Sequence, residues 1–200
     1  MTDRLDQLRA RLQAARDALE TEFDARREAI RYRVEGARVV FEEDVRATHR
    51  AARENLADFL RRTRPLVVLT APIIYSLILP LVLLDLFVTL YQAVCFRVYG
   101  IAPVRRRDHV AIDRHHLAYL NALQQLNCVY CGYGNGVLSY AREIAARTEA
   151  YWCPIKHARR VADPHDLMAG FADYGDAEGF SGETARQRAR LRRTGAEAPD

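Results

Sequence analysis

The sequence is short of several residue types, and each shortage excludes a class of protein. Its 30 basic residues include a single lysine, Lys156, and the net charge is only +4. It has no basic stripe with interleaved aromatic residues and no nucleic-acid motif, so nucleic acid is not an expected partner. The first 60 residues are charged and lack the apolar centre of a secretory signal, so no signal peptide is expected.

Groups typical of an enzyme are scarce as well. No Ser/His/Asp arrangement and no pair of carboxylates stands out. The glycines of GYGNG, residues 132–136, lack the preceding strand and the following lysine of a phosphate loop. There are only four cysteines, and three of them lie near a histidine. That grouping indicates reduced, metal-binding thiols rather than a disulfide framework, which favours a cytosolic face. Because no spare catalytic group lies nearby, a non-enzymatic role is favoured, and an enzyme with an open zinc site is the alternative.

The longest apolar run, residues 65–97, is the main feature of the sequence. Its first 32 residues contain one charged residue, Asp85. An apolar run well beyond about 18 residues predicts a membrane segment. Pro72 and Pro80 interrupt the run, and arginines flank both of its ends. Two arrangements therefore stay open, which are one kinked, tilted span and a re-entrant hairpin bent at Pro80.

Asp85 raises a separate question, because an ionisable group at membrane depth is costly unless it has a partner or a function. Thr89 lies one turn further along, and Tyr75 and Ser76 lie on the other side of Pro80. With no second acidic or histidine residue nearby, the sequence favours a carboxyl group satisfied by hydrogen bonds over a proton relay.

The N-terminal region, residues 1–64, carries charges of both signs around a thin apolar stripe. Apolar residues recur there at spacings of three and four, which predicts a long amphipathic helix or coiled coil. A solvated helix and a homo-oligomer or protein partner bound through residues 3–62 are the alternatives.

The chain after the apolar run predicts a small helical domain, residues 98–161, and a flexible tail, residues 162–200. Asp113 is the expected N-cap of a helix over 114–127, and a second helix is expected over 137–150. His115 and His116 open the first of these helices and are interpreted as cap-region or packed side chains.

Within this domain, four residues form a candidate metal site. Cys128 and Cys131 form a C-x-x-C-G hairpin, and Cys153 and His157 form a C-x-x-x-H pair. Three thiolates and one imidazole are a recognised tetrahedral zinc set. Convergence of the two pairs requires either that the loop at 132–136 runs back along the second helix or that this helix is shorter. Iron is the alternative metal, since this ligand set resembles that of membrane-anchored NEET-type [2Fe-2S] proteins, whose ligands lie closer together in sequence.

Residues 60–180, with the motifs CVYCG and WCPIKH, resemble an uncharacterised family of bacterial inner-membrane proteins. The resemblance implies a bacterial inner-membrane setting and no particular activity; the thiols place the soluble parts in the cytoplasm. The sequence thus predicts an all-α, membrane-anchored scaffold or adaptor that binds zinc and the lipid bilayer. The alternative is an iron–sulfur or iron-dependent redox component of the membrane.

Overall fold

A computed structural model describes residues 2–29, 32–35 and 38–196, and these are mostly helical. The expected helical class is confirmed at this level, with one short β-hairpin in addition. The chain divides into two compact units, residues 1–60 with 113–125 and residues 61–112 with 126–200. The predicted boundaries differ, because residues 113–125 belong with the N-terminal unit.

The first unit does not contain one long helix. The elements are helix α1 (Thr2–Ala29), strands β1 (Tyr32–Glu35) and β2 (Arg38–Phe41), and helices α2 (Glu43–Ala51) and α3 (Leu56–Arg62). The strands pair antiparallel, with Tyr32 opposite Phe41. The prediction of an uninterrupted helix over residues 3–62 was wrong. The stretch YRVEGARVVF has β-branched residues around a glycine, which suits a hairpin better than a helix.

The apolar run forms one continuous helical segment, Pro65–Tyr99, called here the apolar helix. It comprises α4 (Pro65–Ser76), α5 (Ile78–Tyr91), a π-helical turn (Gln92–Phe96) and α6 (Arg97–Tyr99). Pro80 lies in the first turn of α5, where its missing N–H is tolerated, and Leu77 keeps helical dihedrals of −64° and −12°. The chain does not reverse at Pro80, so the re-entrant hairpin was wrong.

The central element of the second half is α7 (Ala122–Trp152), a helix of 31 residues. It replaces the two predicted helices and the loop between them, and residues 114–116 form only a short 3₁₀ turn. Asn121, rather than Asp113, caps α7. The Asn121 side chain accepts from the Gln124 N–H at 3.0 Å, and the Gln124 side chain accepts from the Asn121 N–H at 2.9 Å. This is a capping box.

The C-terminal segment is folded, which corrects the prediction of a flexible tail over residues 162–196. It contains a 3₁₀ turn (Asp166–Gly170) and helix α8 (Phe180–Ala196). Phe171 and Leu191 are 3% and 5% exposed. They belong to a buried apolar cluster in the second unit, which comprises Phe96, Ile101, Val104, Tyr140, Ile144, Ala150, Phe171 and Leu191. Residues 197–200 of the predicted tail lie outside the described part of the chain.

Candidate functional site

The structure does not bring the four predicted metal ligands together. Cys128 and Cys131 lie on α7, half-buried and exposed respectively, while Cys153 and His157 are exposed beyond its end. Because α7 is continuous, the 21 residues between Cys131 and Cys153 correspond to a separation of about 33 Å along its axis. Among the described residues, no group of three or more His, Cys, Asp or Glu side chains is placed to hold a metal ion.

The glycines of the GYGNG segment are part of α7, so the helix is unbroken between Cys131 and its end at Trp152. Gly132, Gly134 and Gly136 are buried on α7 and allow other segments to approach it closely. A Cβ atom on Gly136 would lie 2.7 Å from the Val110 Cα atom. One on Gly134 would lie 3.2 Å from the Leu81 side chain. Gly134 therefore allows close packing against the apolar helix, and Gly136 allows the close approach of residues 109–110, rather than a turn around a metal.

A charged cluster lies midway along the apolar helix. Arg106 donates from Nε and Nη2 to both carboxylate oxygens of Asp85, at 2.7–3.1 Å. The Tyr133 hydroxyl, from α7, donates to the same carboxylate at 3.1 Å. Asp85 raises the pKa of Arg106 above its usual value. Burial, followed by the hydrogen bond to Asp85, raises the pKa of Tyr133.

The charged cluster shows that the Asp85 carboxylate has hydrogen-bond partners. The carboxylate is held by a bidentate arginine and a phenol, so it acts as an anchor for the segment after the apolar helix rather than as a free base. Of the partners considered from the sequence, Tyr75, Ser76 and Thr89, the Thr89 side chain does hydrogen-bond Asp85, but Arg106 and Tyr133 were missed. Arg106 was visible as part of the arginine triplet, but its distance from Asp85 in sequence gave no signal of contact.

Further polar contacts join the apolar helix to α7 along the same side. Gln92, 8% exposed, holds both backbone groups of Val104 and donates to the Tyr140 hydroxyl. The Tyr130 hydroxyl donates to the Ile74 carbonyl at 2.7 Å. Asp85 and Gln92 therefore face neighbouring elements, while the other side of the apolar helix is apolar except for Thr70, Ser76 and Arg97, which are exposed.

A separate cavity of about 340 Å³ lies within the first unit. Its lining residues are Val39, Val40, Phe41, Arg46, His49, His116 and Ala118. The His49 ring packs edge-on against Phe41 and Tyr119, and its Nδ1 atom is buried without a hydrogen-bond partner. The lining offers cationic and aromatic groups and no carboxylate. His116 thus lines a cavity, while the rings of His115 and His116 pack 3.9 Å apart.

No family model, no curated protein and no solved structure matches this chain.

Proposed function

We propose that this chain is a membrane-attached scaffold or adaptor protein. The observation that carries the proposal is the apolar helix. Its most apolar window has a mean hydropathy of 2.5, and none of that window is buried within the fold. An exposed apolar surface of this length needs a lipid or protein covering, and a helix long and apolar enough to cross a membrane suits lipid.

The scaffold part of the proposal rests on α1. Leu8, Leu12, Leu19 and Phe23 recur at helical spacing and are each about half exposed, at 48–56%. Over its length α1 carries six arginines and seven acidic residues, so a second copy offers complementary charge. A second copy of this chain is the proposed partner for these four apolar side chains. This contact takes the place of the coiled coil predicted over residues 3–62.

The charged cluster supports a structural rather than a catalytic role. Asp85, Arg106 and Tyr133 satisfy one another, and their geometry leaves no nucleophile paired with a base. The predicted zinc site, and with it the iron–sulfur alternative, gains no support from the positions of Cys128, Cys131, Cys153 and His157. Both stay predictions, as does the location in a bacterial inner membrane with cytoplasmic soluble parts.

Membrane attachment is tested by flotation of the full chain with phosphatidylglycerol/phosphatidylcholine vesicles. The protein is expected to float with the vesicles. A triple variant, Leu83→Ser, Phe87→Ser and Leu90→Ser, removes exposed apolar side chains from the apolar helix and should reduce flotation. The matched variant Leu8→Ser, Leu12→Ser and Leu19→Ser alters α1 and should float as well as the parent. A parent protein that stays in the soluble fraction contradicts membrane attachment.

Self-association is tested separately, by sedimentation of the full chain in mild detergent. The α1 triple variant should shift the protein towards the monomer, while the apolar-helix triple variant should leave the oligomeric state unchanged. A parent that sediments as a monomer at every concentration contradicts the proposed role of α1.

A further inference from the structure

The apolar helix and α7 run side by side in the same direction. Near their starts, the Tyr75 hydroxyl bonds the Asn127 side chain. Midway, the Tyr133 hydroxyl bonds Asp85. Near their ends, the rings of Tyr99 and Tyr151 stack with centroids 5.0 Å apart. The order of these contacts is the same along both helices, so the two helices are parallel.

A parallel arrangement requires the chain to return between the helices. After Tyr99 the chain must travel back along the pair before it can begin α7. Residues 100–112 form the first part of the returning chain. They are irregular apart from a 3₁₀ turn at Arg106–Asp108. Its contacts mark the backward path: Val104 bonds Gln92, and Arg106 then bonds Asp85.

This returning segment is incompatible with a hydrocarbon surrounding. Irregular backbone exposed to lipid lacks hydrogen-bond partners, and exposed charges are costly there even when they form an ion pair, as Arg107 and Asp108 do. The Arg107 side chain is 76% exposed and that of Asp108 is 59% exposed. If the apolar helix crossed a bilayer, these residues would have to cross beside it, at the depth of Asp85.

The exposed side chains beyond Tyr75 are concentrated on the side of the apolar helix away from α7. The exposed set is Leu77, Leu79, Val82, Leu83, Leu86, Phe87, Leu90, Val94 and Val98, at 48–77% exposure. The less exposed set is Tyr75, Ile78, Leu81, Leu84, Asp85, Val88, Tyr91, Gln92, Cys95, Phe96 and Tyr99, and except near Leu77 it recurs at helical spacing on the opposite side. The fold thus covers one side of the apolar helix, and only the other side is open to a lipid surface.

We propose that the apolar helix lies in the plane of the bilayer surface and does not cross it. Its exposed side enters the boundary between headgroups and acyl chains, and α7 and residues 100–112 face water. The first turn, Leu66 to Leu69, is exposed on every side and enters the same boundary. The exposed Arg97 lies on this helix and complements anionic headgroups. The inference rests on the membrane attachment proposed above.

Depth-dependent fluorescence quenching tests this arrangement in the full chain. In a Trp152→Phe background, single tryptophans replace Phe87 and Val98 on the exposed side and Asn135 on α7. Asn135 is exposed and lies two residues after Tyr133, level with Asp85. Each variant is bound to phosphatidylglycerol/phosphatidylcholine vesicles brominated at either a shallow or a deep acyl position.

The expected result is equal quenching of Phe87→Trp and Val98→Trp by shallow bromines, weaker quenching by deep bromines, and no quenching of Asn135→Trp. Strong quenching of both Phe87→Trp and Asn135→Trp by deep bromines shows a crossing helix and overturns the proposal while leaving membrane attachment intact. If no position is quenched and the protein fails to float, membrane attachment itself is wrong.

Discussion

At the scale of single residues, the contact between Asp85 and Arg106 is the most specific feature of the second unit. The Asp85 side chain is 13% exposed, and its two oxygens take three hydrogen bonds from one guanidinium. Bidentate pairing fixes both distance and orientation, which lysine does not reproduce. The pair thereby ties residues 100–112 to the middle of the apolar helix.

Replacing Arg106 with methionine should lower the free energy of unfolding by about 1–2 kcal/mol. The lower part of the range for charged hydrogen bonds applies because the Arg106 side chain is 43% exposed. Chemical denaturation in mild detergent measures the change. Arg107→Met is the matched control and should alter stability by less than about 0.5 kcal/mol. Equal effects of the two substitutions would show that the contact with Asp85 contributes nothing.

Gly136 gives a second residue-scale prediction. Gly136→Ala should destabilise the protein by about 1–3 kcal/mol, although alanine favours helices, because the new methyl group meets the backbone of His109 and Val110. Gly182→Ala, on α8, meets nothing within 4 Å and should stabilise by about 0.5–1 kcal/mol. Thermal unfolding of both variants checks the opposite signs, and two shifts of the same sign contradict the packing role of Gly136.

Cys131 separates the observed geometry from the predicted metal site. Since Cys131 is exposed on a continuous helix, Cys131→Ser should change the free energy of unfolding by less than about 0.5 kcal/mol. Metal content per chain, measured by elemental analysis, should be the same in variant and parent. A loss of both metal and stability would restore the zinc site of Cys128, Cys131, Cys153 and His157 and require α7 to break.

At the scale of elements, the start of α7 depends on a short local signal. The reciprocal bonds between Asn121 and Gln124 satisfy N–H groups that the first helical turn leaves without partners. The pattern N-x-x-Q was present in the sequence. It was missed because Asp113, a residue type equally suited to capping, precedes a plausible helix.

Asn121→Ala should therefore cost about 1 kcal/mol of stability, whereas Asn121→Ser should retain most of it because serine also accepts from the N–H at this position. Far-ultraviolet circular dichroism during denaturation measures both variants. A serine variant as unstable as the alanine variant would mean that Asn121 acts through burial, at 2% exposure, and not as a cap.

Features of the fold that depend on neighbouring residues in the sequence could be predicted. Features that depend on contacts between distant segments could not. The apolar helix follows from composition alone, because its apolar residues are consecutive. The continuity of α7 through GYGNG depends on Val110 and Leu81, which approach from elsewhere in the chain. Glycines that favour a turn locally are therefore retained in a helix. The burial of Phe171 and Leu191 likewise depends on partners that are distant in sequence, so the C-terminal segment was predicted to be flexible.

At the scale of the whole molecule, the C-terminal segment completes the core of the second unit. Arg188 packs 4.6 Å above the Tyr151 ring and donates to the Tyr151 carbonyl at 3.0 Å. His165 contacts Glu149 at 2.8 Å. Both contacts join the last forty residues to the end of α7, so this segment contributes to the stability of the unit.

Leu191→Ala should destabilise the second unit by about 2–4 kcal/mol, because it leaves a cavity among Phe96, Tyr140 and Phe171. Limited proteolysis should then cleave the C-terminal segment faster than in the parent. Leu12→Ala, at a position 56% exposed on α1, is the control and should leave the rate unchanged. An unchanged rate for Leu191→Ala would contradict the docking of α8.

The separation of Asp85 and Arg106 by 21 residues also matters while the chain is being made. At a synthesis rate of about 5–20 residues per second, the carboxylate emerges from the ribosome roughly 1–4 s before its arginine. During that interval the nascent apolar segment carries an uncompensated negative charge, which opposes its lateral release into lipid. If the apolar helix lies in the membrane surface as proposed above, the late arrival of its counter-ion gives the growing chain time to settle there before the cluster closes.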